Sequence, residues 1–236
     1  TQVDVVLTGY SGEQPVQIVG QIIDPQPEAR GWIEITGKNL EVENAMIAAL
    51  PPKPRQVITE LHPRGKFDVF WRLERSAAGA RPETRLQLDL VDVSINYDRF
   101  AYPLRGVRGM VRAHNQLWTF HQLEAGGRRN VQCQGRLEPS PAGPRLELTV
   151  PGQRQAAGAG QRLPLDDDLF EAVDEKVQRA WSELRPKGHV DFTARVTHLA
   201  GQSQPQIWAS IHPLPETASI QPKFFDYRSD RLAVEV

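Results

Sequence analysis

Cysteine is nearly missing from this chain: Cys133 is the single one among 236 residues. An intramolecular disulfide and a multi-cysteine metal cluster are therefore excluded. Long apolar runs are missing as well, since no stretch approaches the roughly eighteen residues that a membrane-spanning helix needs. An excess of one charge is also missing, because 28 lysines and arginines nearly balance 29 aspartates and glutamates. Without a net field to attract nucleic acid, we expect no nucleic-acid partner.

The motifs of common enzymes and cofactor sites are missing too. There is no G-x-S-x-G sequence, no phosphate-binding glycine loop and no recognisable carboxylate pair. Cys133 alternates with polar residues, so we interpret it as a buried small residue of a strand rather than as a nucleophile. His114 and His121 would need two further ligands to hold zinc, and the acids at 166–168 precede a helical pattern that they can cap. We expect no enzyme activity, no cofactor and no metal site.

An internal repeat is present instead. The segments ELHPRGKFDV at 60–69 and ELRPKGHVDF at 183–192 are nearly the same. When residues 40–73 are aligned without a gap to residues 163–196, nine of thirty-four positions are identical, whereas unrelated segments would share roughly two. In each copy a proline ends the preceding helix and a glycine permits a positive φ before the next strand. The shared residues of this turn signature are Pro63, Gly65 and Asp68 in one copy and Pro186, Gly188 and Asp191 in the other.

Alternation of apolar and polar residues dominates the remaining sequence and predicts half-buried strands. In NVQCQGRL at 130–137, Val131, Cys133 and Leu137 share one face, and PVQIVGQI at 15–22 repeats the pattern with Ile18 in the position of Cys133. The same pattern predicts strands near 31–36, 66–73, 85–95, 107–112, 117–123, 145–150, 189–196 and 206–211.

Two stretches have the 3.6-residue spacing of helices. Apolar residues from Leu169 to Leu184 predict one continuous helix over about 166–184. In the other copy, prolines at 51, 52 and 54 interrupt the corresponding pattern, so we predict two short helices with a kink within about 43–61.

Together these patterns predict an α+β fold of two tandem β-rich repeats, each an antiparallel sheet with one helix inserted. Residues 1–14 are interpreted as the tail of a preceding unit, residues 15–129 as the first unit, and residues 130–236 as a truncated second unit. The second unit carries an additional GQRQAAGAG at 152–160, which is typical of a flexible loop. We expect the chain to be a piece of something longer.

The turn signature resembles the repeats of the AsmA-like (AsmA/TamB-type) family of bacterial envelope proteins, and so does YPLRGVRGMVRAHNQLWTFHQLEAGGRRNVQCQGRL at 102–137. The resemblance covers nearly the whole chain and rests on small turn residues and apolar alternation. It implies a continuous, curved, groove-like sheet in a membrane-anchored protein on the periplasmic side of the inner membrane. It also implies a non-catalytic part in lipid transport or outer-membrane lipid homeostasis. Phospholipid and adjacent repeat units would be its partners, with the membrane anchor outside this segment.

A path for lipid needs an apolar face, because acyl chains gain roughly 0.8 kcal/mol for each methylene removed from water. The opposite face carries Asp68 and Arg72, repeated as Asp191 and Arg195, which either a repeated site or cross-strand ion pairs would explain. A helix of roughly twenty residues could cover five or six strands, so the apolar face is either core beneath the helices or an open groove. The candidate residues of this face are Phe67, Val69, Trp71, Leu86, Leu88, Leu90, Val190, Phe192, Ala194 and Val196.

Two other functions fit the same sequence. A structural or interaction spacer would consist of units in which the helices close over the sheet. A carbohydrate-binding β-sandwich would expose tryptophans, and Trp32 and Trp208 are the residues that would reveal it. Uncovered apolar strand faces would favour the lipid path, and fully covered faces would favour the spacer.

Overall fold

The computed structural model describes residues 1–50, 52–98, 100–126, 131–151, 162–199, 206–225 and 227–232, with the backbone alone at 52–54, 56 and 57. The predicted loop at 152–160 and the last four residues of the chain lie outside these ranges. Most of the described chain is antiparallel β-structure, which confirms the prediction of a β-rich fold. The strands are β1 (Gln2–Ser11), β2 (Gln14–Ile23), β3 (Arg30–Glu41), β4 (Arg64–Arg75), β5 (Glu83–Tyr97), β6 (Phe100–His114), β7 (Leu117–Ala125), β8 (Val131–Glu138), β9 (Arg145–Val150), β10 (Leu163–Pro164), β11 (His189–Leu199), β12 (Gln206–Pro213), β13 (Ser219–Ile220) and β14 (Ser229–Asp230).

One sheet contains the first twelve of these strands in nearly the order of the sequence. Strands β1 to β9 form a meander in which each strand pairs antiparallel with the next, and β11 follows β9. Short β10 pairs with the start of β11, beyond the residues that β9 occupies, and β12 pairs with the other edge of β11. Strands β13 and β14 pair with each other in a separate two-stranded sheet. A meander is the expected result because antiparallel neighbours need only short connections.

In the part of the chain that the structure describes, four short helices interrupt the strands: α1 (Asn44–Ala49), α2 (Pro52–Leu61), α3 (Asp167–Ala172) and α4 (Glu175–Leu184). The first two lie within the range in which the prolines predict a broken helix. The prediction of one continuous helix over 166–184 is wrong, because the chain leaves the helical conformation at Val173 and starts a new helix after Asp174.

Capping explains this break. The Asp174 carboxylate accepts hydrogen bonds from the backbone N–H groups of Lys176 and Val177 at 2.9 and 3.0 Å, so it begins α4 instead of continuing α3. The side-chain amide of Gln178 then donates to the carbonyl oxygens of Phe170 and Val173 at 3.0 and 3.1 Å, which satisfies backbone acceptors at the end of α3. Apolar spacing alone could not reveal that a local acid would start a second helix.

The turns after α2 and α4 have the same unusual backbone conformation. His62 and Arg185 have φ values of 44 and 47°, and the signature glycines Gly65 and Gly188 have φ values of 120 and 102°. A Cβ atom at either glycine would also collide with a backbone carbonyl of the neighbouring chain segment. These positions therefore require glycine for both conformational and steric reasons.

The buried core lies toward one end of the strands, beneath the second pair of helices. Tyr102 of β6, Leu163 of β10, Leu169 of α3 and Val190 of β11 form one buried cluster, and the α4 residue Trp181 packs against it. A second buried cluster, Val93, Val107 and Ala125, belongs to β5, β6 and β7. No helix in the described ranges is long and apolar enough to cross a membrane.

Candidate functional site

Two rows of mainly apolar residues run across the sheet, perpendicular to its strands. Directly opposed residues of neighbouring antiparallel strands project from the same face, so the pairing registers define each row. The first apolar row is Leu7, Ile18, Ile35, Trp71, Leu86, Ala113, Trp118, Leu137 and Leu146, and it ends at His198. The second apolar row is Gly9, Val16, Gly37, Val69, Leu88, Val111, Phe120, Gly135, Leu148, Val196 and Ile207. Neither row contains an acidic residue, a lysine or an arginine.

The opposite face of the same strands is polar. Its row between the two apolar rows has Phe70 as its one apolar member: Thr8, Gln17, Thr36, Phe70, Gln87, Arg112, Thr119, Arg136, Glu147, Thr197 and Gln206. Ion pairs cross the strands on this side, such as Arg136 to Glu147 at 3.2 Å. Since one face is apolar and the other is hydrated, the sheet is amphipathic across its whole width.

The two apolar rows are not covered by the helices. Among their members only Ala113 and Gly37 are buried, and the end residues Leu7 and Ile207 are 57 and 67% exposed. The other residues are half-buried, as expected for side chains shielded only by their neighbours in the sheet. We name these two rows together the open apolar face.

The candidate face predicted from the sequence divides into two parts in the structure. Phe67 and Val190 are buried, Leu90 packs against the β5–β6–β7 cluster, and Phe192 packs against the cluster beneath α3 and α4. These residues belong to the core. The remaining candidates are half-buried, and all but Ala194 lie on the open apolar face: Val69, Trp71, Leu86, Leu88, Ala194 and Val196.

The polar residues of the repeated segment have structural partners. The Asp68 carboxylate accepts a hydrogen bond at 2.7 Å from the backbone N–H of Asn39, which has a φ of 53° within a bulge of β3. Arg72 pairs with Glu34 at 3.2 Å and with Glu74 at 3.1 Å. Cross-strand ion pairing therefore accounts for Arg72, and a backbone contact accounts for Asp68. Pro63 and Pro186 precede the glycine turns described above, and Asp191 is buried on β11.

The polar residues considered as catalytic groups or as metal ligands each have a different partner and do not meet at one site. His114 lies 3.6 Å from Glu83, and His121 lies 2.9 Å from the Thr119 hydroxyl. Asp166 accepts a hydrogen bond from the Leu169 N–H at 3.0 Å and so caps α3. In the described ranges, no group of three or more histidines, cysteines and acids could hold a metal ion.

Cys133 lies half-buried on β8, where it is paired with Leu123 of β7. Desolvation by the surrounding protein raises the pKa of its thiol to about 11. A thiol with a raised pKa is a poor nucleophile at neutral pH, because little thiolate is present.

The tryptophans occupy different environments. Trp71 and Trp118 lie on the open apolar face, whereas Trp32 lies on the polar face with the Arg72 guanidinium 4.5 Å from its ring centre. Trp181 packs in the core, and Trp208 of edge strand β12 is 59% exposed.

The apolar face predicted from the sequence lies on β4, β5 and β11 and does not include the strands between β5 and β11. In the structure it continues across β6 to β9 through residues such as Val111, Phe120 and Leu148. Their alternation was visible in the sequence, but only the pairing register aligns them with Leu88. No known protein-family model, curated protein or solved structure matches this chain.

Proposed function

We propose that this chain is a non-catalytic segment of a larger envelope protein, similar to AsmA-like proteins, that takes part in lipid transport or outer-membrane lipid homeostasis. In this proposal acyl chains of phospholipids lie on the open apolar face, while the polar face remains in water. The observation that carries the proposal is the pair of uninterrupted apolar rows outside the cover of the helices. The chain would act on the periplasmic side of the inner membrane, in series with adjacent repeat units and with a membrane anchor outside this segment.

The dimensions and energetics of the open apolar face support this proposal. At about 4.8 Å per strand spacing, the first row crosses ten strands over about 43 Å and the second crosses eleven over about 48 Å. One leaflet of acyl chains is about 15 Å thick, half of a bilayer core. The rows are therefore long enough for about three acyl chains end to end. Each methylene that leaves water contributes roughly 0.8 kcal/mol, and the gain is similar at every strand because the rows stay apolar. A lipid would thus move along the rows without crossing a large barrier.

The pairing registers support the interpretation of two tandem units. Leu40 pairs with Phe67 in the first unit, and Leu163 pairs with Val190 in the second. Both members of the second pair come 123 residues after the corresponding members of the first. Likewise, Leu88 pairs with Val69, and Ile211 with Phe192.

Upstream of the helices the shift is 115 residues, because Gly20 pairs with Ile33 and Gly135 pairs with Leu148. The change of shift falls between β9 and β10, where the sequence has its additional GQRQAAGAG. The first unit then has its helix pair between β3 and β4, and the second has its pair between β10 and β11. Strand β1 corresponds to β7, the last strand of the first unit, which agrees with β1 as the tail of a preceding unit.

The two alternative functions have weaker support. A spacer of closed units needs helices that cover the apolar strand faces, but α3 and α4 cover only one end of the strands. The exposure of Trp208 favours a carbohydrate-binding surface. The Trp32 ring, however, is in contact with the Arg72 guanidinium, and it lies about 38 Å from Trp208 across eight strand spacings. A single exposed ring on an edge strand does not make a platform for sugar rings.

The experiment that tests the proposal uses the tryptophans as reporters. Brominated acyl chains quench tryptophan fluorescence on contact, and Trp71 and Trp118 lie on the open apolar face. We expect a short-chain brominated phosphatidylcholine, below its micelle concentration, to quench wild-type protein strongly and a variant with both residues changed to phenylalanine weakly. Equal quenching of the two proteins would contradict the proposal. Native mass spectrometry with lipid extraction then shows whether phospholipid co-purifies.

A further inference from the structure

A strand of one proposed unit and a helix of the next form a joint in the middle of the chain. Tyr102 of β6 is 5% exposed and packs with Leu169 of α3. Its ring lies 6.0 Å from the ring of Phe100, measured between ring centres. The second helix pair therefore packs on β6 of the preceding unit as well as on β10 and β11 of its own unit. We name this contact the unit joint.

The strand half of a second unit joint lies between β13 and β14. Ile95 pairs with Leu104 in β5 and β6, and Ile220 pairs with Ser229 in β13 and β14, so the two connections have the same length. Five residues after the paired isoleucine each connection has a phenylalanine, and seven residues after it a tyrosine. These are Phe100 and Tyr102 in the first connection and Phe225 and Tyr227 in the second. The second pair also has its ring centres close together, at 6.2 Å.

The second aromatic pair differs from the first in its exposure. Phe225 is 61% exposed and Tyr227 is 66% exposed, and the neighbouring Phe224 is 79% exposed. Just before these aromatic residues, the backbone N–H of Gln221 donates a hydrogen bond to the Leu184 carbonyl at 3.0 Å, and that of Lys223 donates to the Glu183 carbonyl at 2.8 Å, both at the end of α4. Three aromatic side chains are thus exposed to solvent beside a segment that is hydrogen-bonded to α4. Exposed aromatic clusters of this kind are typical of interaction sites.

The helix half of a unit joint lies at the other end of the chain, in α1 and α2. With the shift of 123 residues, Met46 takes the position of Leu169 and Ile58 takes the position of Trp181. None of the α1 residues is buried, whereas Leu169 is buried against Tyr102. A cleft of about 830 Å³ lies beside these helices. Val42, Ile47 and Ile58 form its apolar part, and polar or charged residues such as Glu43 and Arg55 line much of the rest. This half has apolar side chains and room for aromatic rings.

From these two halves we infer that the Phe225 and Tyr227 rings of one copy of this chain bind the cleft beside α1 and α2 of a second copy, reproducing the unit joint between molecules. The inference rests on the interpretation of two tandem units within the proposed function. The same contact would join this segment to neighbouring units of a longer chain.

The geometry of the internal joint favours this partner over a membrane surface. The matching ring of Tyr102 already packs with Leu169 of a helix of the same kind, and the Phe100 ring lies beside Tyr102. The contact would also place β1 of the second copy beside the end of the first, and β1 exposes Val6 at 79% and Tyr10 at 74%. Because the two binding surfaces differ, the association is head-to-tail and does not close into a symmetric dimer.

The test uses two variants of the full chain, each with one half blocked. Ile47→Asp places a charge in the cleft of the helix half, and Phe225→Asp with Tyr227→Asp places charges in the strand half. Sedimentation velocity is measured up to 100 µM without lipid. We expect wild-type protein to self-associate with increasing concentration and each blocked variant to do so at least about thirtyfold more weakly. An equimolar mixture of the two variants should form a 1:1 dimer, because each retains the half that the other lacks.

Phe100→Asp is the matched control, since Phe100 occupies the same position as Phe225 in the joint that is already complete. It should associate like wild type, and circular dichroism should show that all variants are folded. Monomeric wild-type protein, a monomeric mixture, or self-association that survives Phe225→Asp with Tyr227→Asp would each overturn the inference. Loss of binding to phosphatidylglycerol vesicles in that variant, without any self-association of wild type, would instead assign the rings to a membrane surface.

The outcome is separable from the test of lipid binding. The blocked residues lie outside the two rows, and the sedimentation assay contains no lipid. Quenching of Trp71 and Trp118 can succeed while association fails, or the reverse, so each proposal can be rejected alone.

Discussion

A charge placed in the middle of the open apolar face should abolish most lipid binding without unfolding the protein. Leu88 of β5 is half-buried and lies between Val69 and Val111 in the second apolar row. Leu88→Asp puts a carboxylate where an acyl chain would have to pass. The matched control is Gln87→Asp, one residue earlier on the same strand, which puts the same carboxylate on the polar face near Arg112.

The expected loss of affinity follows from the methylene groups that the charge keeps in water. If the carboxylate prevents contact with about three methylenes at roughly 0.8 kcal/mol each, binding weakens by about 2.4 kcal/mol, or roughly fiftyfold. The assay is a fluorescence titration with short-chain brominated phosphatidylcholine. We expect Gln87→Asp to bind within about twofold of wild type. Equal affinities for the two variants would refute the reasoning, because they would show that the acyl chain does not lie along this row.

The stability of the Leu88 variants distinguishes a solvent-accessible lipid surface from a buried core. A half-buried leucine loses less than a fully buried one when it is replaced, so we expect Leu88→Asp to lower the free energy of unfolding by about 2 kcal/mol, well below the total stability of most domains. Thermal unfolding followed by circular dichroism measures this change, and Leu88→Ser provides a milder variant. Complete unfolding of both variants would mean that Leu88 is core, in contradiction to the open face.

Three further predictions concern the local structure. Asp174→Ala removes the cap of α4 and should lower the free energy of unfolding by about 1 kcal/mol in a denaturant titration, while Asp174→Asn should retain most of the stability. Gly188→Ala forces a Cβ into the Thr217 carbonyl at a positive φ and should cost at least about 2 kcal/mol in the same titration, whereas Gly126→Ala has room and should cost less. Cys133 should react slowly with iodoacetamide below pH 10 in the folded protein and at an ordinary rate in urea, since desolvation raises its thiol pKa to about 11.

The pH dependence of stability gives the Cys133 prediction a second measurement. Above its ordinary pKa of 9.0 the unfolded thiol loses its proton while the folded thiol keeps it, so the unfolded state binds fewer protons. The free energy of unfolding should therefore fall between about pH 9 and pH 11, and Cys133→Ala should remove this component of the fall. An identical pH profile for the variant, or rapid alkylation of the folded wild type at pH 8, would contradict a desolvated thiol. For the other two variants, unchanged stability would contradict the cap at Asp174 or the steric requirement at Gly188.

The strands could be predicted from the sequence because their signal is local. Alternation over six to ten residues, as in the segments containing Ile18, Leu88 and Cys133, depends only on the two-residue period of a strand. The glycine turns were predictable for the same reason, since Gly65 and Gly188 are required by the backbone conformation at their own positions.

The helices show where local reasoning stopped. The apolar spacing from Leu169 to Leu184 is continuous, yet Asp174 begins a second helix because its carboxylate satisfies two backbone N–H groups. A helical period and a capping residue compete at the same position, and only the folded chain shows which one prevails.

What the sequence by itself determined is therefore which residues alternate, where the chain turns and which segments repeat. Only the tertiary structure decided that Phe67, Val190 and Phe192 are core while Trp71, Leu88 and Val196 remain open to solvent. All six residues have the same strand pattern, because alternation records which face of its strand a residue occupies and not what lies over that face. Whether a strand face is covered depends on contacts between segments far apart in the chain, such as the packing of Leu169 against Tyr102. No local sequence pattern contains these contacts.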